Sequence, residues 1–137
     1  MTADARKVHR ILALQQQLHR IEEWKLMELR RRLEELEASR RDLIRALNED
    51  DALQGLFIDA LARRLRSLSE EASRVGQEQD AQMARLIEHT ARKLCAERLA
   101  EAVDRHVARA GDKRQLVDVI ERVTGLAAQA SRKIAEG

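Results

Sequence analysis

The sequence predicts an all-α fold: a long antiparallel two-helix coiled-coil hairpin followed by a third, shorter C-terminal helix. Three observations predict it. Apolar residues recur at alternating three- and four-residue spacings along most of the chain, the periodicity of helices that bury one stripe. Proline is absent and charged residues make up 36% of 137 positions, the mixture typical of long helices and coiled coils. Trp24 and Phe57 are the only aromatics, whereas globular cores of this length draw much of their buried area from such side chains.

Helix 1 is expected from about Ala3 or Asp4 to Leu47. Its later half carries a heptad seam of Leu26, Leu29, Leu33, Leu36, Arg40, Leu43 and Leu47. Its earlier half reads as Ile11, Leu14, Leu18 and Ile21, a phase that differs by four residues. The step from Leu18 to Leu29 is then a stutter, which locally unwinds a left-handed supercoil. The turn is predicted at residues 48–51, Asn48-Glu49-Asp50-Asp51, where Asn suits a helix end and Asp50 or Asp51 can cap the next helix. Helix 2 carries Leu53, Phe57, Leu61, Leu65, Leu68, Ala72 and Val75, then a polar stretch from Gly76 to Gln82. Its seam resumes at Met83, Leu86, Ile87, Thr90 and Leu94, then Leu99, Val103 and Val107. Gly111-Asp112 reads as a second break, glycine past a helix end and aspartate as an N-cap. Helix 3 follows, about Lys113 to Ala135, with a stripe of Leu116, Ile120, Val123, Ala127, Ala130 and Ile134.

A constant-sum register tests the hairpin. With facing positions summing to about 101, Leu36 meets Leu65, Leu33 meets Leu68, Leu29 meets Ala72 and Leu26 meets Val75. Leu47 meets Leu53, and Leu43 meets Phe57 or Ile58. Trp24 falls opposite Gly76, and Leu18, Leu14, Ile11 and Val8 meet Met83, Ile87, Thr90 and Leu94. The expected division is therefore a hairpin at 4–97, on the order of 65 Å long at about 1.5 Å per residue, and a helical overhang plus helix 3 at 98–135. Seven Asp/Glu-to-Arg pairs at i,i+4 spacing, such as Glu28–Arg32 and Glu70–Arg74, are expected to support the exposed faces by roughly 0.2–0.5 kcal/mol each.

The same composition narrows the function. The 26 basic and 24 acidic residues leave a formal charge of +2, and no segment is basic enough for a nucleic-acid arm. Arg30-Arg31-Arg32 and Arg63-Arg64-Arg66 form the one basic feature. A docking stripe for an acidic partner is weighed there against a solvated face neutralised by Glu34, Glu35, Glu37 and Asp59, and the lack of stacking aromatics favours the second. No apolar run approaches the ~18 residues of a membrane span. No signal-peptide core follows Met1. The lone Cys95 cannot form an internal disulfide. A cytoplasmic protein is expected.

Chemistry is sparsely provided. His9, His19, His89 and His106 form no i,i+4 pair, and a His9–Cys95 juxtaposition would supply two ligands where zinc needs three or four. The five glycines are scattered, so no phosphate loop exists. Adjacent carboxylates such as Glu22-Glu23 lie on solvated faces with no apolar pocket to raise a pKa. Neither a catalytic residue, a cofactor nor a metal is expected, and the chain reads as a non-enzyme. The partner-binding candidates are apolar. Phe57 and Ile58 at the hairpin tip either close the coiled coil over Leu43, Ile44 and Leu47 or form a knob. Leu99, Val103 and Val107 on the overhang lack a helix 1 partner, and must be covered by Leu116, Ile120 and Val123 of helix 3 or by self-association.

A long helix, a tight tip and a longer return helix, carried by the seams Leu26–Leu47 and Leu53–Val75 around Asn48-Glu49-Asp50-Asp51, resemble the flagellar and type III secretion export-stalk proteins. The resemblance covers roughly residues 4–97, and helix 3 departs from it. It implies a small cytoplasmic protein, like the coiled-coil part of a rotary ATPase γ subunit, that couples an export ATPase ring to the export gate. Three readings follow: a stalk or coupling protein, a homo-oligomeric scaffold or adaptor whose overhang and helix 3 bundle between chains, and a nucleic-acid-associated coiled coil using the arginine stripe.

Overall fold

The structure, a computed structural model, describes residues 2–49 and 54–136, with the side chains of 54–56 outside that description. The described residues form two helices packed against each other: α1, Ala3–Asn48, and α2, Gln54–Glu136. No strand occurs among them. Thr2 caps α1, its hydroxyl accepting from the Ala5 amide at 3.2 Å and its carbonyl from the Arg6 amide at 3.1 Å, which satisfies donors that a helix start leaves open. The Glu49 amide donates to the Arg45 carbonyl at 3.2 Å and closes the last turn of α1. The expected caps Asp50 and Asp51, and the Leu47–Leu53 pairing, lie outside the described residues.

Contacts divide the chain into two compact units, residues 14–93 and residues 1–13 with 94–137. The first holds the core. Leu36, Leu68, Ala72 and Val75 are buried together, with Leu29, Leu33 and Leu43 packed against them. These are the seam residues expected of both helices, and they pack because 3/4 spacing keeps one stripe facing the partner. Arg32 of α1 pairs with Glu71 of α2 beside this core.

The expected third helix is not present as a separate element. Gly111 and Asp112 lie inside α2, which runs through 83 residues, and no described glycine has a positive φ. A single glycine costs a helix only about 1 kcal/mol relative to alanine. The flanking Ala108-Arg109-Ala110 and Lys113 to Leu116 are good helix formers, so the helix continues through it.

The stutter is not present either. The stripe of α1 that turns inward continues from Leu26 through Glu22, His19, Gln15, Leu12, Val8 and Ala5 without a change of phase. Ile11, Leu14 and Ile21, placed in the seam by the sequence pattern, are exposed instead. On α2 the inward stripe likewise passes from Val75 through Gln79, Gln82, Leu86, His89 and Lys93. It leaves Ile87 at 64% exposure and Leu94 exposed too. The leucine-rich half sets the phase, and each helix is covalently continuous, so the phase propagates. Changing it would require unwinding a turn.

The register departs from the expected one accordingly. A sum near 101 puts position 69 opposite Arg32, 79 opposite Glu22, 82 opposite His19 and 92 opposite His9. The observed partners are Glu71, Gln82, Thr90 and Asp104. Part of the overshoot comes from side chains leaning toward the N-terminus of their own helix. The large-into-small fit of Trp24 on Gly76 fails: Trp24 is 62% exposed, and a Cβ built on Gly76 would meet nothing within 4 Å.

In the second unit Ala5 and Ala100 are fully packed, Ala96 is buried, and His9 Nε2 lies 2.8 Å from Asp104 Oδ1. Helix pairing therefore extends well past the expected limit at 97. Val103 and Val107 are half-buried rather than unpartnered, and exposure becomes complete only from Asp112.

Candidate functional site

Two kinds of surface emerge once the helices are placed: a polar layer inside the pairing and apolar faces outside it. The polar layer sits where both inward stripes carry hydrogen-bonding side chains. Glu22 is 8% exposed and Gln82 3%. Gln82 Nε2 donates to the Glu22 carbonyl at 3.2 Å and to the Glu22 carboxylate, while Lys25 Nζ and His89 Nε2 stand 3.5 and 3.9 Å from the same carboxylate. The Gln82 hydrogen bond, with smaller help from Lys25 and His89, holds the Glu22 pKa below the usual carboxylate value against the opposing effect of burial.

One turn further along α1, His19 Nε2 lies 3.0 Å from Thr90 Oγ1, and that hydroxyl donates to the Leu86 carbonyl at 2.8 Å. A hydroxyl has one proton, so the imidazole N–H is the donor between them. No described protein group hydrogen-bonds the buried Gln15 Oε1 or His89 Nδ1. The sequence pattern read Glu22-Glu23 as a solvated pair. The structure separates them, turning Glu22 inward and leaving Glu23 exposed beside His19 at 3.4 Å. The signal was in the spacing: Gln15, His19 and Glu22 continue the Leu26–Leu47 heptad.

The arginine clusters are partly neutralised. Arg31 bonds to Glu28 at 3.0 Å and to Glu35, which raises its pKa above the ordinary guanidinium value, Glu28 contributing most. Arg32 pairs with Glu71 and, at 3.8 Å, Glu35 rather than with the expected Glu28. Arg63 Nε donates to the Asp59 carbonyl at 3.3 Å.

His9 engages Asp104 and not Cys95, which is exposed. Among the described residues no three His, Cys, Asp or Glu side chains converge as a metal site would require. Nor is any described helix long and apolar enough to cross a membrane.

The eight apolar candidates are divided between the two units. Phe57 and Ile58 are exposed near the start of α2, and the side chains of 54–56 beside them are outside the description. Val103 and Val107 border a shallow groove with Thr2, Asp4 and His106. Leu99 is exposed. Leu116, Ile120 and Val123 share one face of α2, which Ile134 continues and the exposed residues Val119 and Leu126 widen. The sequence pattern did not single out Val119 or Leu126, because they flank the heptad stripe rather than occupy it. It also missed that Ile11, Leu14, Ile21, Trp24 and Met27 would stand outside the pairing on α1. No protein-family model, curated protein or solved structure matches the chain.

Proposed function

We propose that the chain is a non-enzymatic coiled-coil interaction protein, acting as a stalk or coupling component of a flagellar or type III protein-export apparatus. The observation that carries the interaction reading is the segment of α2 from Asp112 to Glu136. It is helical throughout and exposed at every position, yet it keeps a continuous apolar stripe that a solitary helix has no reason to carry. The export assignment is supported by two long helices packed against each other, the second of which runs on uninterrupted from Gln54 to Glu136. The separate third helix that set the sequence apart from the export-stalk outline is not present.

The full chain, immobilised and exposed to native cytoplasm, is expected to retain an export ATPase, and to do so less after Ile120→Glu. Retention of no export component, with no flagellar or secretion genes beside its own, would remove the export assignment. A homo-oligomeric scaffold is the second reading, favoured by the width of the same apolar face.

A further inference from the structure

The apolar face of α2 beyond Gly111 has the dimensions and the sequence symmetry of an interface with itself. Leu116, Ile120, Val123, Ala127, Ala130 and Ile134 recur at alternating four- and three-residue steps. Such a stripe stays on one side of a helix over about five turns. Asp118, Glu121, Arg122, Gln129 and Arg132 occupy the opposite side. Leu116, Ile120, Val123 and Ile134 are each more than half exposed, Ile134 at 81%, so the described residues leave this face open to a partner. We propose that this face pairs with the same face of a second copy of the chain, the two helices running antiparallel about a two-fold axis near Gly125. The inference rests on the interaction reading above but not on the export assignment.

Side-chain volume selects the antiparallel sense. With the axis near Gly125, Ile120 lies opposite Ala130 of the second copy, Val123 opposite Ala127, and Leu116 opposite Ile134. Each inner layer then sets a large side chain against a small one, the arrangement that fills a core to native density. A parallel pair would stack Ala127 on Ala127 and Ala130 on Ala130, leaving two successive underfilled layers.

Charge does not oppose the pairing. With five basic and four acidic residues from 112 to 137, two copies meet without strong net repulsion. Burying roughly six such side chains per copy removes on the order of 1,000 Å², about the minimum for a specific interface.

Sedimentation of the full chain from about 1 to about 100 µM tests this pairing across the affinity range such an area supports. The expected particle at the upper end is a dimer of the 15.7 kDa chain. Ile120→Glu buries a charge in the pairing and should weaken it by at least about 100-fold. Because Ile120 is more than half exposed in the single chain, helicity by circular dichroism should be unchanged.

Orientation is read by mixing tagged Ile120→Cys chains with untagged Ala130→Cys chains, both in a Cys95→Ser background. Mixed disulfides should outnumber either homodisulfide. A monomer at every concentration, a dimer untouched by Ile120→Glu, or a predominance of 120–120 disulfides would each overturn the proposal. A monomer that still retains an export ATPase removes this pairing alone. A dimer that retains no partner removes the export assignment alone.

Discussion

Between Leu26 and Leu47, α1 places leucine at nearly every inward position; between Gln15 and Glu22, the same stripe carries glutamine, histidine and glutamate. The partner helix changes in step, from Leu68, Ala72 and Val75 to Gln79, Gln82 and His89. Backbone geometry is the same in both halves, so what differs is the source of cohesion. The leucine half gains from removing apolar area from water, which is non-directional and tolerant of small displacements. The polar half depends on hydrogen bonds such as Gln82 to Glu22 and His19 to Thr90, which hold only at one distance and angle. Polar residues at inward coiled-coil positions lower stability and fix register. Here they also leave the apolar residues of the same level, Ile11, Leu14, Ile21 and Ile87, on the outside.

The largest expected effect lies in the leucine half. Leu36→Ala should cost about 2–5 kcal/mol in urea denaturation followed by circular dichroism, the usual penalty for a cavity at a packed site. A loss under about 1 kcal/mol would mean that the core collapses around the change and that the two halves are less different than their chemistry. In the polar half, Gln82→Leu strips the buried Glu22 of its main hydrogen bond and should cost about 1–3 kcal/mol. Adding Glu22→Leu to it should recover most of that loss, because an apolar pair needs no partner. If the double variant is no better than the single one, the layer is held by packing and its polarity is incidental.

Acid should separate the halves more gently. The folded-state pKa of Glu22 lies below its ordinary value of 4.5. Its contribution is therefore complete above that value and is lost as pH falls through the depressed folded value. Melting temperature should thus drop more between pH 6 and pH 3 in the natural chain than in Glu22→Gln, and equal drops would exclude Glu22 as a source of acid sensitivity. The smallest effect belongs outside both halves. Trp24→Ala should change stability by no more than about 0.5 kcal/mol, since Trp24 is exposed and does not seat on Gly76. A larger loss would return the indole to the helix pairing.

The partner-binding candidates show how far the sequence could be read. Leu116, Ile120 and Val123 were legible because an apolar stripe at heptad spacing is visible without neighbours, and its exposure follows if nothing lies opposite. A sum near 101 ends the pairing near position 97 and leaves Val103 and Val107 unpartnered, whereas the inward stripe of the outer half half-buries both. Position alone cannot say which of two adjacent stripes turns inward. Leu14 and Gln15 sit one residue apart, and hydrophobicity argued for the leucine.

By itself, the sequence determined that the described residues are helical, that two long helices pack against each other, and that Leu29–Leu43 packs on Leu68–Val75. Those follow from periodicity, the absence of proline and the density of leucine, which are local quantities. Only the tertiary structure decided that Glu22, His19 and Gln82 lie inside while Ile11, Leu14 and Ile87 lie outside. It also decided that Gly111 is crossed without a break. Both outcomes have one cause: a continuous helix transmits the phase and direction set by its best-packed segment to residues whose own preferences are weaker.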